Sequence, residues 1–335
     1  MKTVSAIGAI LALLLGIVWL RSDLSSAPVS AGAEVATVAA VNEPIQPIPL
    51  HIELDAPKVA LGNQLFHDVR LSGDNSISCA SCHSLSTGGV DREIGSMGIK
   101  GQLGSINAPT VFNSGFNFKQ FWDGRAEDLE GQVDGPTHAP AEMGSSWVEI
   151  IGKLKQSSDY VQAFNVSYPG GIESASIKDA IATFERSLYT PNSRFDQFLR
   201  GQAGAITDDE KEGYRLFKTY GCVRCHQGVN VGGNLYQEFG VMTEYLGRQD
   251  RTGALAPDRQ SDTSDGTPSR RFKVPGLRNV ALTAPYFHDG SASNLEQAVT
   301  LMAHHQLGRR LSPEEVDRIV KFLKTLTGEY RGKRL

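Results

Sequence analysis

All four cysteines of this 335-residue chain lie in two pentapeptides of one form, Cys79-Ala-Ser-Cys82-His83 and Cys222-Val-Arg-Cys225-His226. A Cys-x-x-Cys-His unit is the covalent attachment site of a c-type haem: two thioethers join the porphyrin vinyl carbons, and the adjacent imidazole binds the iron. Other uses of the cysteines fit less well. Two disulfides or a thioredoxin-like motif would leave both histidines unexplained. Zinc sites need paired ligand sets about 12–20 residues apart, whereas these lie 143 apart. Two covalent haems are the expectation, with His83 and His226 as their proximal ligands.

The rest of the chain agrees with an exported haem protein. Lys2 is followed by an uncharged run from Val4 to Leu20, ended by Arg21. The run reads equally as a signal peptide within residues 1–33, with a cleavage site at Ala31-Gly32-Ala33, or as a retained membrane anchor. Either way the expected location is the periplasm. Residues 34–49 are small, Pro-containing and unpatterned, which reads as a linker. A net charge of −4 leaves no basic footprint for nucleic acid.

Apolar periodicity predicts a mainly α fold of two cytochrome c-like helical domains with long loops, a first haem domain over 50–200 and a second over 201–330. "APKVALGNQLFHD" forms a short amphipathic helix before the first haem motif, and Ile150–Phe164 and Ile177–Leu188 carry helical stripes. Thr207 with Glu210, Ser293 with Glu296, and Ser312 with Glu315 read as helix starts. No convincing alternating strand pattern is present.

An internal repeat orders the two halves. "APTVFNSGFNFKQFWDGRA" (108–126) follows the first haem motif and "VPGLRNVALTAPYFHDGSA" (274–292) follows the second. Asn113 lies nine residues before Trp122, and Asn279 nine before His288. Fourteen residues beyond His288 stands Met302, a thioether suited to bind iron opposite His226. Fourteen beyond Trp122 stands Pro136, which has no ligating side chain. The second haem is therefore expected to be His/Met six-coordinate and to carry electrons, with His288 hydrogen-bonding nearby rather than ligating. The first is expected to be open on one face.

Around Pro136 the sequence gathers Gln132, His138 and Glu142. A peroxide bound to iron must lose a proton from its near oxygen and regain it on the far one before the O–O bond breaks. One carboxylate and one orienting amide meet that need, which assigns Glu142 as acid/base and Gln132 as the positioning group. His51, His67, His304 and His305 read as structural or surface residues.

From about 44 to 330 the chain resembles the bacterial di-haem cytochrome c peroxidases, through "LFHDVRLS", "ISCASCH", the 108–126 segment, "GPTHAPAEM", "GCVRCHQGVN", "LRNVALTAPYFHDG" and "QLG". The resemblance implies that Glu142, Gln132 and Pro136 line a peroxidatic pocket and that Trp122 lies on the electron route between haems. It also implies a calcium ion bound through Asn107 and the backbone of Thr283 and Pro285, a homodimer, and a small cytochrome c or copper protein as electron donor. The chain departs from the pattern in one place. The family's glycine-rich loop after the first haem carries a histidine that caps the resting iron, and here Ile99 takes that position. Water or nothing is expected to cover that face, ahead of Met97 and Lys100, so reductive activation would not be needed. Two other readings compete. One is a di-haem oxidase acting on a protein substrate, whose relatives use a tyrosine where Met302 stands. The other is a di-haem electron carrier or sensor without turnover.

Overall fold

Two helix crossings, one in each half, are built around a glycine. A Cβ placed on Gly62 would lie 1.9 Å from the Ala180 carbonyl oxygen, and one on Gly213 would lie 1.9 Å from that of Arg318. Any side chain at these points would force the helices apart, and each glycine lets a phenylalanine (Phe184, Phe322) close over the crossing.

The computed structural model describes residues 43–245 and 271–335, so the apolar N-terminal run and its expected cleavage site lie outside the described residues. The first half contains α1 (Ala56–Phe66), α2 (Cys79–Cys82), α3 (Leu129–Gln132), α4 (Asp134–His138), α5 (Trp147–Lys155), α6 (Ser158–Ser167) and α7 (Ser174–Arg186). A short α8 (Arg194–Leu199) leads into the second half, which contains α9 (Asp208–Thr219), α10 (Leu295–Leu307) and α11 (Pro313–Lys324). Strands among the described residues are confined to two small antiparallel pairs, β1 (Tyr236–Glu238) with β2 (Arg271–Lys273) and β3 (Glu329–Tyr330) with β4 (Lys333–Arg334). No helix among the described residues is long and apolar enough to cross a membrane.

Each half has its own core. In the first, α1 crosses α7 and buries Leu65, Phe66, Ile177, Ile181 and Phe184. In the second, α9 crosses α11 and buries Tyr214, Phe217, Ile319 and Phe322, joined by Phe195 of α8. Phe66 and Phe322 are fully buried, and truncating either to alanine would cost about 3–5 kcal/mol.

The helix starts follow their caps. Thr207 and Ser312 form complete capping boxes with Glu210 and Glu315. The third expected cap falls one residue later: Asn294, not Ser293, accepts from the Gln297 amide, because an Asx side chain reaches that amide from the N-cap while Ser293 bonds the Gln297 side chain instead. The expected Ile150–Phe164 stripe is two helices, since Gln156 ends α5 and Ser157 starts α6. The described end of the expected linker is packed. Ile45 and Ile48 are buried, Gly228 donates to the Pro44 carbonyl, and Gln46 donates to that of Gly228. Arg278 ties this segment down, donating to the Gln46 and Val229 carbonyls while ion-paired at 2.7 Å with buried Asp196. Removing either charge alone would leave the other buried and uncompensated.

Candidate functional site

The sequence repeat is a structural repeat. Asn113 and Asn279 both take left-handed backbone (φ 63° and 60°) and each opens a short 3₁₀ turn, Ser114–Phe116 and Val280–Leu282. Phe121 and Phe287 are likewise left-handed, and the bridges Gln120–Ala126 and Tyr286–Ala292 close matching loops. Asp128 and Asn294 then cap α3 and α10. Every one of these pairs is separated by 166 residues, the spacing that also relates Trp122 to His288 and Pro136 to Met302.

In the second half, a largely apolar cavity of about 260 Å³ is lined by Cys222, Cys225, His226 and Met302 together. α10 carries Met302 to the wall because "LEQAVTLMAHHQL" has no helix breaker and runs unbroken to Gly308. His226 places its Nδ1 3.3 Å from the Val231 carbonyl oxygen. Burial pushes its pKa down to about 4, so the ring is neutral and keeps a lone pair for iron.

The same helix is broken in the first half. Val133 separates α3 from the single short turn of α4, which holds Gly135 and Pro136, and Pro140 follows the end of α4. The chain then turns back: the Glu142 amide donates to the Ala139 carbonyl, the Met143 amide to that of Pro136, and the Ser145 amide to that of Thr137. This hairpin ties Glu142 to the helical run that bears Gln132 and Pro136. Burial raises the pKa of the Cys82 thiol, and the charge of Glu142 adds to that rise. Burial raises the Glu142 pKa above the ordinary carboxylate range, opposed by the Arg125 guanidinium, although the side chain keeps access to solvent. His83 is half-buried, with its Nδ1 inside, and desolvation lowers its pKa, with the Gly89 and Pro109 backbone acting in opposition.

The loop after Cys82 is docked on the Glu142 turn. Ile99 donates its amide to the Glu142 carbonyl at 2.9 Å, and its side chain is buried beside Gly144. Met97 and Lys100 are exposed. His138 is exposed and sets its ring edge-on to Trp147 at 5.7 Å. His51 and His304 are exposed, and His67 and His305 bond backbone carbonyls of Asn63 and Thr243.

Trp122 sits where the halves meet. Its Nε1–H donates to the Asn107 carbonyl at 2.9 Å, and its ring lies edge-on to that of His288 at 6.4 Å. Trp122, His288, Asn107, Thr283 and Pro285 all line the second-half cavity.

The residues fit haem. His83 Nδ1 is buried without a hydrogen bond of good geometry, leaving a ring whose orientation awaits a ligand to hold it. Lys273 is buried in the cavity wall with no carboxylate partner among the described residues, and desolvation pushes its pKa down to about 8. An apolar cavity with an unpaired cation suits a flat hydrophobic ring bearing carboxylates. Sequence reading missed Lys273, because "SRRFKVP" looks like a run of surface charge.

Two thiol pairs, two half-buried imidazoles and one thioether in the same cavity as His226 define a haem oxidoreductase. Residues 56–204 match the di-haem cytochrome c peroxidase family and residues 210–327 the cytochrome c family. The cytochrome c551 peroxidase of Nitrosomonas europaea is 48% identical over 88% of this chain and 87% of that protein. The cytochrome c peroxidase Ccp of Escherichia coli K12 is 49% identical over 86% of this chain, which spans 62% of that longer protein. Among solved structures, a MauG-like protein associated with microbial copper homeostasis shares the fold at a TM-score of 0.71 and 30% identity, over 86% of this chain and 94% of its own. The chain belongs to the di-haem cytochrome c peroxidase family and is a peroxidase of the oxidoreductase class.

Proposed function

We propose that hydrogen peroxide is reduced to water in the first half, beside His83, and that the second half relays the electrons. The observation that carries this reading is the contrast at one register position, where Met302 lines the second cavity and Pro136 offers no ligand. Haem iron, when bound, would supply the coordination site for peroxide and the two electrons that reduce it, which the external donor replaces. The chain's own part is to move protons and hold the substrate. A Glu142 carboxylate oxygen accepts the proton of the inner peroxide oxygen and returns it to the outer one, so the leaving fragment departs as water. Its raised pKa brings it nearer the working pH, where one group can serve as base and then acid. The Gln132 amide orients the peroxide, and Pro136 keeps the space clear. Cys79 and Cys82 anchor one haem, Cys222 and Cys225 the other, with Trp122 between them as the electron route.

Absence of a histidine from the 84–105 loop supports a first centre capped by water or nothing in the resting state, and ready without reductive activation. The expected donor is a small cytochrome c or copper protein. The periplasm, a homodimer, domain limits near 50–200 and 201–330, and one calcium ion at Asn107, Thr283 and Pro285 belong to the same reading by family resemblance. Glu142→Gln is expected to lower peroxide-dependent oxidation of reduced cytochrome c by about 10²- to 10⁴-fold with both haems attached. The parent is expected to turn over without a lag and to show one high-spin ferric signal by paramagnetic resonance. An unchanged rate in Glu142→Gln would remove Glu142 as the base. A lag relieved by pre-reduction would mean that Met97 or Lys100 caps the iron.

A further inference from the structure

The closing helices of the two halves occupy equivalent places, and one residue on them differs in kind. Gly62 meets Ala180 and Phe184 as Gly213 meets Arg318 and Phe322. The Asn113 amide donates to the Leu188 carbonyl and the Asn279 amide to that of Leu326. The Asn113 and Asn279 side-chain carbonyls accept from the amides of Thr190 and Gly328. On the closing helices and the turns after them, Ala180 and Arg318, Phe184 and Phe322, Leu188 and Leu326, and Thr190 and Gly328 are each 138 residues apart, and the same spacing sets Glu185 of α7 opposite Leu323 of α11.

Leu323 lines the second haem cavity, an ordinary place for an apolar side chain. Glu185 holds the same place in the first half at 7% exposure, with no hydrogen-bonded or ion-paired partner among the described residues. Its charge raises the pKa of the Cys79 thiol, and Cys79, which would anchor the first haem, packs on the same core as Ile181 and Phe184 of α7. The charged groups around it are few. Arg186 on its own helix is held by Glu130 of α3 at 2.8 Å; on Glu185, Arg186 opposes burial while Glu130 acts with it. On α1, Lys58 is paired with Asp179, and the His67 ring rests against Phe184 with its Nδ1 on a backbone carbonyl. Burial pushes the Glu185 pKa up to about 8, and a haem filling the space beside Cys79 displaces water and acts in the same direction.

We infer that Glu185 is the redox-linked proton site of the first haem. At pH values between the oxidised-state and reduced-state pKa of Glu185, the electron from the donor that takes that iron from ferric to ferrous is accompanied by up to one proton from solvent binding the Glu185 carboxylate; reoxidation releases both. The added negative charge is neutralised inside the same dry pocket, where an uncompensated charge is costly. The sign follows from linkage. Reduction raises the pKa of Glu185, so the first haem's potential falls with rising pH only between the oxidised-state and reduced-state pKa values, and is flat below and above that window. At its steepest the dependence is tenfold per pH unit, about 59 mV for one electron. Leu323 supplies no such term to the second haem. This inference rests on haem attachment at Cys79–His83 and not on the role of Glu142; because it is read from potentials, its failure would not touch the peroxidase mechanism.

The test is a potentiometric titration of both haems in the intact holoprotein between pH 5 and 10 (about the range in which a carboxyl raised by burial titrates), for the parent, Glu185→Gln and Glu185→Leu. The expected result is a sloping window for the first haem in the parent that vanishes in both variants, with the second haem unchanged throughout. Redox-difference infrared spectra should show a protonated carboxyl band that Glu185→Gln removes. Glu185→Leu installs the residue the second half tolerates at this place, so a fold that rejects the amide still leaves a usable variant. An unchanged slope in either folded variant, or a uniform shift in potential with the slope intact, would overturn the inference.

Discussion

The two halves solve the same packing problem and diverge at single positions on a common frame. Both cross two helices at a glycine, both open a loop with a left-handed asparagine, and both start the next helix from an Asx cap. Beyond that cap the second half runs thirteen residues of unbroken helix and delivers Met302, while the first half breaks at Val133, ends at His138 and folds back to deliver Glu142. In the proposed reading, electron transfer and peroxide chemistry are separated by what one helical segment carries, not by different architectures. A closed centre needs a continuous helix that holds a soft ligand in place. A reactive centre needs that helix interrupted, with an acid brought back into the gap.

The largest test of this comparison removes the difference itself. Pro136→Met gives the first half the residue that the second carries in the same register. If the thioether holds the iron nine-tenths of the time, turnover falls about tenfold or more. The oxidised spectrum should then show two low-spin His/Met centres instead of one. A variant with full activity and an unchanged high-spin signal would mean that the broken α3–α4 run does not bring position 136 to the iron. Next in size are the crossings. Gly62→Ala and Gly213→Ala each set a methyl against a backbone carbonyl, and each is expected to lower denaturant stability by about 1–3 kcal/mol. Equal losses would support the equivalence of the halves, and a tolerated change at one glycine alone would break it. Smallest are the caps: Asp128→Ala and Asn294→Ala should each cost about 1 kcal/mol, read from the thermal midpoint of the holoprotein.

Much of this frame was legible in the sequence. The pentapeptides fixed the haem sites, the capping boxes at Thr207 and Ser312 placed α9 and α11, and the repeat carried the ligand register to Met302 and Pro136. What escaped was decided by partners distant in the chain. Ile45 and Ile48 look unpatterned because their partners, Gly228 and Asp196, lie well over a hundred residues away. The short β1–β2 pair depends on that same kind of contact. Glu185 left a faint signal, since it stands one turn beyond Ile181 on a stripe otherwise made of Ile177, Ala180, Phe184 and Leu188. A charge on an apolar stripe is normally a solvated edge, and only the placement of Leu323 on the matching helix marks it as buried by intent of the fold.

Thr190 extends the comparison in another direction. Its single hydroxyl oxygen accepts from the side-chain amides of both Asn113 and Asn279, at 2.8 and 3.0 Å. Two donors, one from each repeat, therefore fill the two lone pairs of one buried atom. Thr190 belongs to the first half with Asn113, so severing the halves would strip only Asn279 of this acceptor and leave a buried amide unpaired, which is costly. One buried oxygen thus stitches the two repeats together, and a single cooperative melting transition of the holoprotein is the expected outcome.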